Sequence, residues 1–400
     1  MKSLYLIFTF TLIFYTSLIE AQGITVIPSA PPEAQVVSTN NLYQWQGFQD
    51  VEILPGHDNK AYVLFAIRHG RGPVWGYPQN TVGLWYGYID RNVRWYSGGV
   101  KKELRDHLHA SHNLYLQGLS NATANVITAC QDHEKQYHIF IGLSDASDAN
   151  HPTRLVYLKW AHEHIVTTKV SNILADNIRP RMQCIADPMN NIHIFGLPQW
   201  YRNETQDSKI AAYKITPVEQ NSPDKFLHLT PTMLPDTFKT GLFTIYPSHR
   251  GFDLAYANRN SLNLSLATKP YEQRSIANVT SGWRILFNDN ARPDGNQSTA
   301  LSHMAGFSVR NRNLAHLIAQ KKNNGGIVHY YQNNRGHWKT DGRVLNAPQL
   351  GTMSVAGVED RPIFSVVGTT NNIGNIWFGY YNFREARWID KGIIFNQRSH

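Results

Sequence analysis

The nine residues Asp132-His133-Glu134-Lys135-Gln136-Tyr137-His138-Ile139-Phe140 align without a gap on Asp187-Pro188-Met189-Asn190-Asn191-Ile192-His193-Ile194-Phe195, with Asp, His, Ile and Phe in register. A short apolar segment precedes each copy, Val126 to Ala129 in the first and Met182 to Ala186 in the second. Each then passes through a polar turn into a second strand. Self-similarity of this kind marks repeat architectures, in which a unit buries its faces only against its neighbours.

A second unit recurs near the two ends of the chain. Leu84-Trp85-Tyr86-Gly87-Tyr88-Ile89, followed by Arg94-Trp95, matches Ile376-Trp377-Phe378-Gly379-Tyr380-Tyr381, followed by Arg387-Trp388. Each reads as a hairpin. Looser copies are Ile327 to Tyr331 with Trp338, and Leu155 to Trp160 followed by Ile165-Val166. Together the two units place six second strands: 61–67, 137–143, 192–197, 252–256, 314–319 and 362–367. Their starts lie 76, 55, 60, 62 and 48 residues apart, a spread that fits four-stranded meanders with loops of unequal length.

The fold expected is therefore all-β, a propeller of six four-stranded antiparallel blades, which buries both faces of every sheet and leaves no long free edge. The left-over stretch 101–123 contains Asn113-Leu114-Tyr115-Leu116, so seven blades stay open. Two β-sandwiches, the competing architecture, give no reason for the first and last hairpins to match.

The opening stretch sets Lys2 before an apolar run from Leu4 to Ile19 and then reaches Ala21, the layout of a secretory signal peptide over residues 1–21. Residues 22–400 are then one propeller domain, secreted and extracellular, and no other segment approaches a membrane-spanning length. Charged residues make up 17% and aromatics 12%, a balance that suits a loop-rich β protein. The net charge of +9 is diffuse, without a long basic run or a nucleic-acid-binding motif, which excludes nucleic acid as a partner and leaves solubility or acidic polysaccharide as its use.

Sequons at Asn121, Asn203, Asn263, Asn278 and Asn296 are the expected glycosylation sites of a secreted chain. Its two cysteines, Cys130 and Cys184, have both a disulfide and two buried thiols open to them. In the repeat alignment Cys130 falls opposite Ile185 and Cys184 opposite Ala129. The two are one residue out of equivalence and lie on opposite strand faces, which reads as an obstacle to pairing.

For binding, large aromatics beside polar hairpin residues are the candidates, because an aromatic face stacks on the C–H face of a pyranose ring while nearby polar groups bond its hydroxyls. Trp95, Trp338 and Trp388, with Arg94 and Arg387 before the matched tryptophans, form that set, against a competing role in inter-blade packing. The run from Asp106 to His112 holds three imidazoles but matches no metal-ligand spacing, and it reads as a polar connector. Neither a metal nor a cofactor is expected, and no catalytic residue is assigned. His138 and His193 read as hydrogen-bonding ties from one blade to the next and Asp132 and Asp187 as turn residues, since a folding demand repeats where a catalytic centre is usually unique.

The strand-turn-strand unit Ile185 to Ile194 resembles an element of the sialidase-like secreted propellers, and the hairpin Ile327 to Trp338 resembles the blades of the six-bladed fungal fucose-binding lectins. What the resemblance implies is a six-bladed ring with glycan-binding character. The sialidase Asp-box is not reproduced: Asn333-Asn334-Arg335-Gly336-His337-Trp338 lacks its Asp. The functional expectation is a carbohydrate-binding module whose partners are glycans or cell-surface glycoproteins. Its alternatives are a glycoside hydrolase or lyase of sialidase-like type, and a protein-binding secreted effector or attachment protein.

Overall fold

The protein is described here by a computed structural model over residues 44–71, 81–91, 95–100, 122–145, 153–172, 178–198, 209–240, 242–248, 251–257, 264–276, 278–288, 301–309, 314–321, 327–332, 338–345, 350–357, 363–369, 376–382, 385 and 387–393. Among these residues the strands assemble into six sheets, taken in chain order. The first holds β1 (Gln44–Pro55), β2 (Lys60–Arg71), β3 (Thr81–Asp90) and β4 (Trp95–Val100). The second holds β5 (Ala122–Gln131), β6 (Tyr137–Asp145), β7 (Thr153–Ala161) and β8 (His164–Ser171).

In the third sheet β9 (Ile178–Ala186), β10 (Ile192–Pro198) and β11 (Ala211–Ile215) lead into an insertion. That insertion contains the short helix α1 (Pro217–Asn221), β12 (Phe226–Leu227) and β13 (Thr232–Met233). The fourth sheet is β14 (Leu242–Pro247), β15 (Gly251–Ala257), β16 (Leu264–Pro270) and β17 (Arg284–Asn288). The fifth is β18 (Leu301–Val309), β19 (Leu314–Lys321), β20 (Ile327–Gln332) and β21 (Trp338–Leu345), and the sixth is β22 (Leu350–Ala356), β23 (Ile363–Thr369), β24 (Ile376–Asn382) and β25 (Arg387–Ile393).

All six second strands expected from the repeats are the second strands of these sheets, namely β2, β6, β10, β15, β19 and β23. The described sheets number six, and Asn113 to Leu116, on which a seventh blade rested, lie outside the described residues. One departure from four-stranded meanders occurs at the third sheet. After β11 the chain caps α1 through Thr216 and Glu219, with Glu219 N–H donating to Thr216 Oγ1 and Thr216 N–H to Glu219 Oε2. It then lays β12 parallel to β8 of the second blade and returns to supply β13 to its own sheet. The insertion so joins the outer edges of two blades, and it covers an edge that would otherwise present unpaired backbone groups.

The core is divided into layers between neighbouring blades. Phe65 and Tyr86 of the first blade meet Ile139 and Trp160 of the second, with Phe65 edge-on to Trp160 at 5.6 Å. Phe140 and Tyr157 meet Ile192 and Ile194 across the next gap, and Phe195 meets Phe252 across the third. Strand alternation explains the pattern: odd and even positions face opposite neighbours, so both faces of each sheet are apolar. Close approach needs glycine at Gly306, where an added Cβ would stand 2.6 Å from the ring of Tyr246 in the fourth blade. Gly87 leaves room for the Trp85 ring in the same way.

This geometry corrects the reading of the cysteines. Equivalent positions of successive blades all point the same way around the ring, so residues that meet across a gap must differ in face. Cys130 points toward the third blade, as Phe140 and Tyr157 do, and Cys184 points back toward the second. The offset of one residue brings them together, and they are bonded with their Cα atoms 5.3 Å apart.

The Asp of the repeat serves its turn as expected, Asp132 Oδ1 accepting from Gln136 N–H at 2.8 Å, but the His acts differently from the expected blade-to-blade tie. His138 Nε2 meets Asp132 Oδ2 at 3.0 Å and its Nδ1 meets Tyr157 Oη at 2.9 Å, all within the second blade. In the third blade His193 Nε2 meets Asp187 Oδ2 at 3.2 Å, and Asp187 Oδ1 accepts the N–H groups of Met189 and Asn191. It is the carboxylate of Asp187 that crosses to the fourth blade, accepting from Ser275 Oγ at 3.0 Å and Ile276 N at 3.1 Å. Burial pushes Asp187 up, but the bonds from His193, Asn191 and Ile276 outweigh it and hold the carboxyl well below its ordinary range.

Candidate functional site

A surface feature suited to a ligand lies where the β1–β2 turn and the facing positions of β3 and β4 in the first blade meet the β7–β8 turn of the second. Tyr88 and Tyr96 sit directly opposite each other on β3 and β4. Their rings stack at 4.8 Å with an interplanar angle of 13°. Tyr96 is 36% exposed, whereas Tyr86 beneath is buried against Trp160, so the pair stands at the outer margin of the core between the first two blades.

Polar groups rim this margin. Lys60 Nζ lies 5.2 Å from the Tyr88 ring centroid and forms an ion pair with Glu163 of the second blade. Tyr96 Oη donates to Asp90 Oδ2 at 3.4 Å. Glu163 is held there by local chain geometry: His162 and Glu163 are the two central residues of the β7–β8 turn, at φ 49° and 65°, the left-handed pair that a two-residue hairpin demands. On the first blade His57 stacks on Tyr137 at 5.7 Å, and Tyr137 Oη donates to Pro55 O, fixing the β1–β2 turn against the second blade. Burial, followed by the nearby Tyr96, Glu163 and Asp90, raises the Tyr88 phenol above its ordinary value, so it stays a neutral donor.

Among the described residues this margin offers a flat aromatic face, the cations Lys60 and Lys135 and the carboxylates Asp58, Asp90 and Glu163. That set suits a ligand with an apolar C–H face and several hydroxyls. Sequence reading missed it because tyrosines at β3 and β4 register, a lysine in one turn and a glutamate in another are brought together only by blade packing. The one available signal was the aromatic pattern Leu84 to Ile89, which had been read toward its tryptophans.

Of the residues picked from sequence, Trp388 lies between the fifth and sixth blades. It is edge-on to His329 at 5.4 Å and packs on Tyr381, only 9% exposed. Arg387 beside it is exposed and paired with Glu385. Trp388 and Arg387 are thus adjacent in sequence but face different surroundings. Trp95 opens β4 next to Tyr96, and Trp338 opens β21. Arg94 lies outside the described residues, as do the run from Asp106 to His112 and the sequons Asn121, Asn203, Asn263 and Asn296.

Asn278 is exposed, and its Oδ1 accepts both the N–H and the hydroxyl of Thr280, at 2.8 and 2.7 Å. A histidine pair that the sequence did not single out shares the core near Trp388: His316 Nδ1 lies 2.9 Å from His329 Nε2. Burial and then His329 push the His316 imidazole down to about 3.

No protein-family model and no curated protein sequence matches the chain. Solved structures similar to it include the fucose-specific lectin from Aleuria aurantia, at 9% identity and a TM-score of 0.49 over 87% of this chain and 97% of that one. The SapL1 lectin in complex with alpha methyl fucoside is similar at 9% identity and a TM-score of 0.48, over 89% and 99% of the two chains. AofleA from Arthrobotrys oligospora is similar at 9% identity and a TM-score of 0.48, over 92% and 94%. No residue role is carried over from any of them.

Proposed function

We propose that this chain is a secreted carbohydrate-binding propeller that takes glycans of cell surfaces or extracellular glycoproteins at the outer margin between its first two blades. The observation that carries the reading is the stacked, partly exposed Tyr88–Tyr96 pair rimmed by Lys60, Asp90 and Glu163. An aromatic face beside donors and acceptors is what a pyranose requires: apolar contact for its C–H face and bonds for its hydroxyls.

The local charge narrows the class. Although the whole chain carries +9, the described charges here are Lys60 and Lys135 against three carboxylates, Asp58, Asp90 and Glu163. An acidic polysaccharide is repelled there, so the ligand is a neutral glycan. The hydrolase alternative needs a free pair of carboxylates in the central channel, and of the described pair there, Asp50 and Glu52, the first is engaged by the backbone. Both oxygens of Asp50 accept backbone N–H groups, of Val51 and Ile127, each at 2.8 Å, and so tie β1 to β5.

A glycan array probed with the mature chain, followed by calorimetry on the strongest neutral hit, tests the proposal. Binding to neutral glycans that Tyr96→Ala weakens supports it. Binding confined to acidic glycans, or unaffected by Tyr96→Ala, overturns it.

A further inference from the structure

The connection between β16 and β17 of the fourth blade is held at several points. Glu272 and Ser275 exchange both backbone hydrogen bonds across a tight turn, with Gln273 and Arg274 at φ 49° and 68°. Asp187 of the third blade accepts from Ile276 N–H, and Val279 is buried in the core between these two blades. Trp283 packs on Phe238 and Phe252 at 5.0 and 5.3 Å, and its Nε1 donates to Val279 O at 2.7 Å, closing 279–283 into one turn. Asn278 and Thr280 stay exposed on this anchored loop, and the closed turn sets Asn278 beside the start of β17.

β17 is the outermost strand of its blade, and no strand pairs with its free edge among the described residues. It is five residues, about 17 Å, long. Ile285 and Leu286 are 50% and 46% exposed, at the irregularity where its pairing with β16 shifts register. A free edge with apolar side chains is a template for a strand of another chain. In the second blade β12 covers the matching edge of β8. At β17 the sequence instead sets Asn278-Val279-Thr280, an acceptor for N-linked sugar, a few residues before the edge begins.

We propose that Asn278 carries an N-linked glycan that lies over the free edge of β17 and keeps Ile285 and Leu286 from pairing with another chain. The inference rests on the secreted character of the protein proposed above. Both contacts of Asn278 with Thr280 use Oδ1, which leaves Nδ2 for the sugar. In the transfer Nδ2 bonds to C1 of a lipid-pyrophosphate-linked oligosaccharide and gives up one proton, while the bond from C1 to the pyrophosphate oxygen breaks and the lipid pyrophosphate leaves with its electron pair. The Asn278–Thr280 turn is local, so the emerging chain can form it before the blade is complete. Folding then leaves Asn278 in solvent, where a bulky sugar displaces no packed side chain.

The full chain produced in a eukaryotic cell line and collected from the medium tests this. Glycopeptide mass spectrometry reads the occupancy of each sequon, and light scattering over a range of concentrations reads association. Most secreted molecules are expected to carry a glycan at Asn278. Asn278→Asp keeps an acceptor for both bonds from Thr280 but takes no sugar, and it is expected to self-associate at a roughly tenfold lower concentration than the wild type. Thr280→Ala, which removes the sequon from its other end, is expected to do the same and decides the matter should Asn278→Asp fail to fold. Ile285→Lys added to either variant is expected to restore the monomer, since a lysine on an edge strand opposes pairing. The inference is overturned if Asn278 is bare in a secreted chain whose other sequons are occupied. It is overturned equally if the variants associate no more readily than the wild type, or if their association survives Ile285→Lys. A chain retained in the cell without sugar at any sequon overturns the secreted character, and this inference with it.

Discussion

Ser354 Oγ in the sixth blade donates to Glu52 Oε1 in the first at 2.8 Å and accepts from Ile53 N–H at 3.1 Å, so one hydroxyl fastens the two ends of the ring. Neither sheet borrows a strand from the other: the first runs from β1 to β4 and the sixth from β22 to β25. Closure therefore depends on packing of β1 against β22 and β23. Ser354→Ala leaves a buried N–H and a buried carboxyl without this partner, and it is expected to lower the unfolding free energy by about 1–3 kcal/mol, read from urea denaturation. An unchanged midpoint would mean that apolar contacts alone close the ring.

Glu52 makes stability at this seam depend on pH. Its folded pKa lies well above the ordinary value, so folding binds a proton that the unfolded chain releases once pH exceeds the ordinary carboxylate range. The penalty is absent below that range and grows as pH rises toward the folded value. Glu52→Gln is thus expected to stabilise the protein near neutral pH and to lose that advantage on acidification. Thermal melts from pH 3 to 8 on both proteins measure it, and a pH-independent difference would contradict the assignment.

Acid acts in the opposite sense on the buried histidines. Burial lowers His138 and His193 against the pull of Asp132 and Asp187, and burial followed by His329 lowers His316 to about 3. With folded values below the unfolded value of about 6.5, the unfolded chain binds more protons, so stability falls as pH drops below that point. Asp187, lowered in the folded state, adds a further loss as pH falls through the ordinary carboxylate range. Asp187→Asn removes a buried charge partner of His193 and weakens the bridge to Ile276. With His193 neutral, the loss is of hydrogen bonds to the carboxylate, expected to cost about 1–3 kcal/mol at neutral pH and to flatten the acid limb of the stability curve in thermal melts.

The Cys130–Cys184 bond closes a loop of 54 residues between the second and third blades. Chain entropy gives it a stabilisation of about 4 kcal/mol. The double variant Cys130→Ala, Cys184→Ala should lower the denaturation midpoint accordingly, and a reducing agent should shift the wild type to match and leave the variant alone.

At the margin between the first two blades, Tyr96→Ala is expected to weaken glycan binding about three- to tenfold, in line with about 0.5–1.5 kcal/mol for one aromatic contact. Glu163→Gln breaks the ion pair with Lys60 and makes the margin more positive. It is expected to raise the relative binding of acidic glycans on an array, and an unaltered profile would remove local charge as the basis of selectivity.

The repeat from Asp132 to Phe140 and from Asp187 to Phe195, together with the aromatic hairpins of Leu84 to Trp95 and Ile376 to Trp388, placed every second strand, because blade formation is a local and repeated demand on apolar strands and the turns between them. The six sheets follow from alternation within each strand and from the need to bury both faces. Partners across the gaps were beyond reach. The cysteine offset looked unfavourable until the ring set the second and third blades face to face, and His138 was expected to join blades when it is Asp187 that crosses between them. The candidate site is hidden for the same reason. Tyr88, Tyr96, Lys60 and Glu163 come from four separate elements of two blades, and only packing, which acts between residues distant in sequence, brings their chemistry to one place.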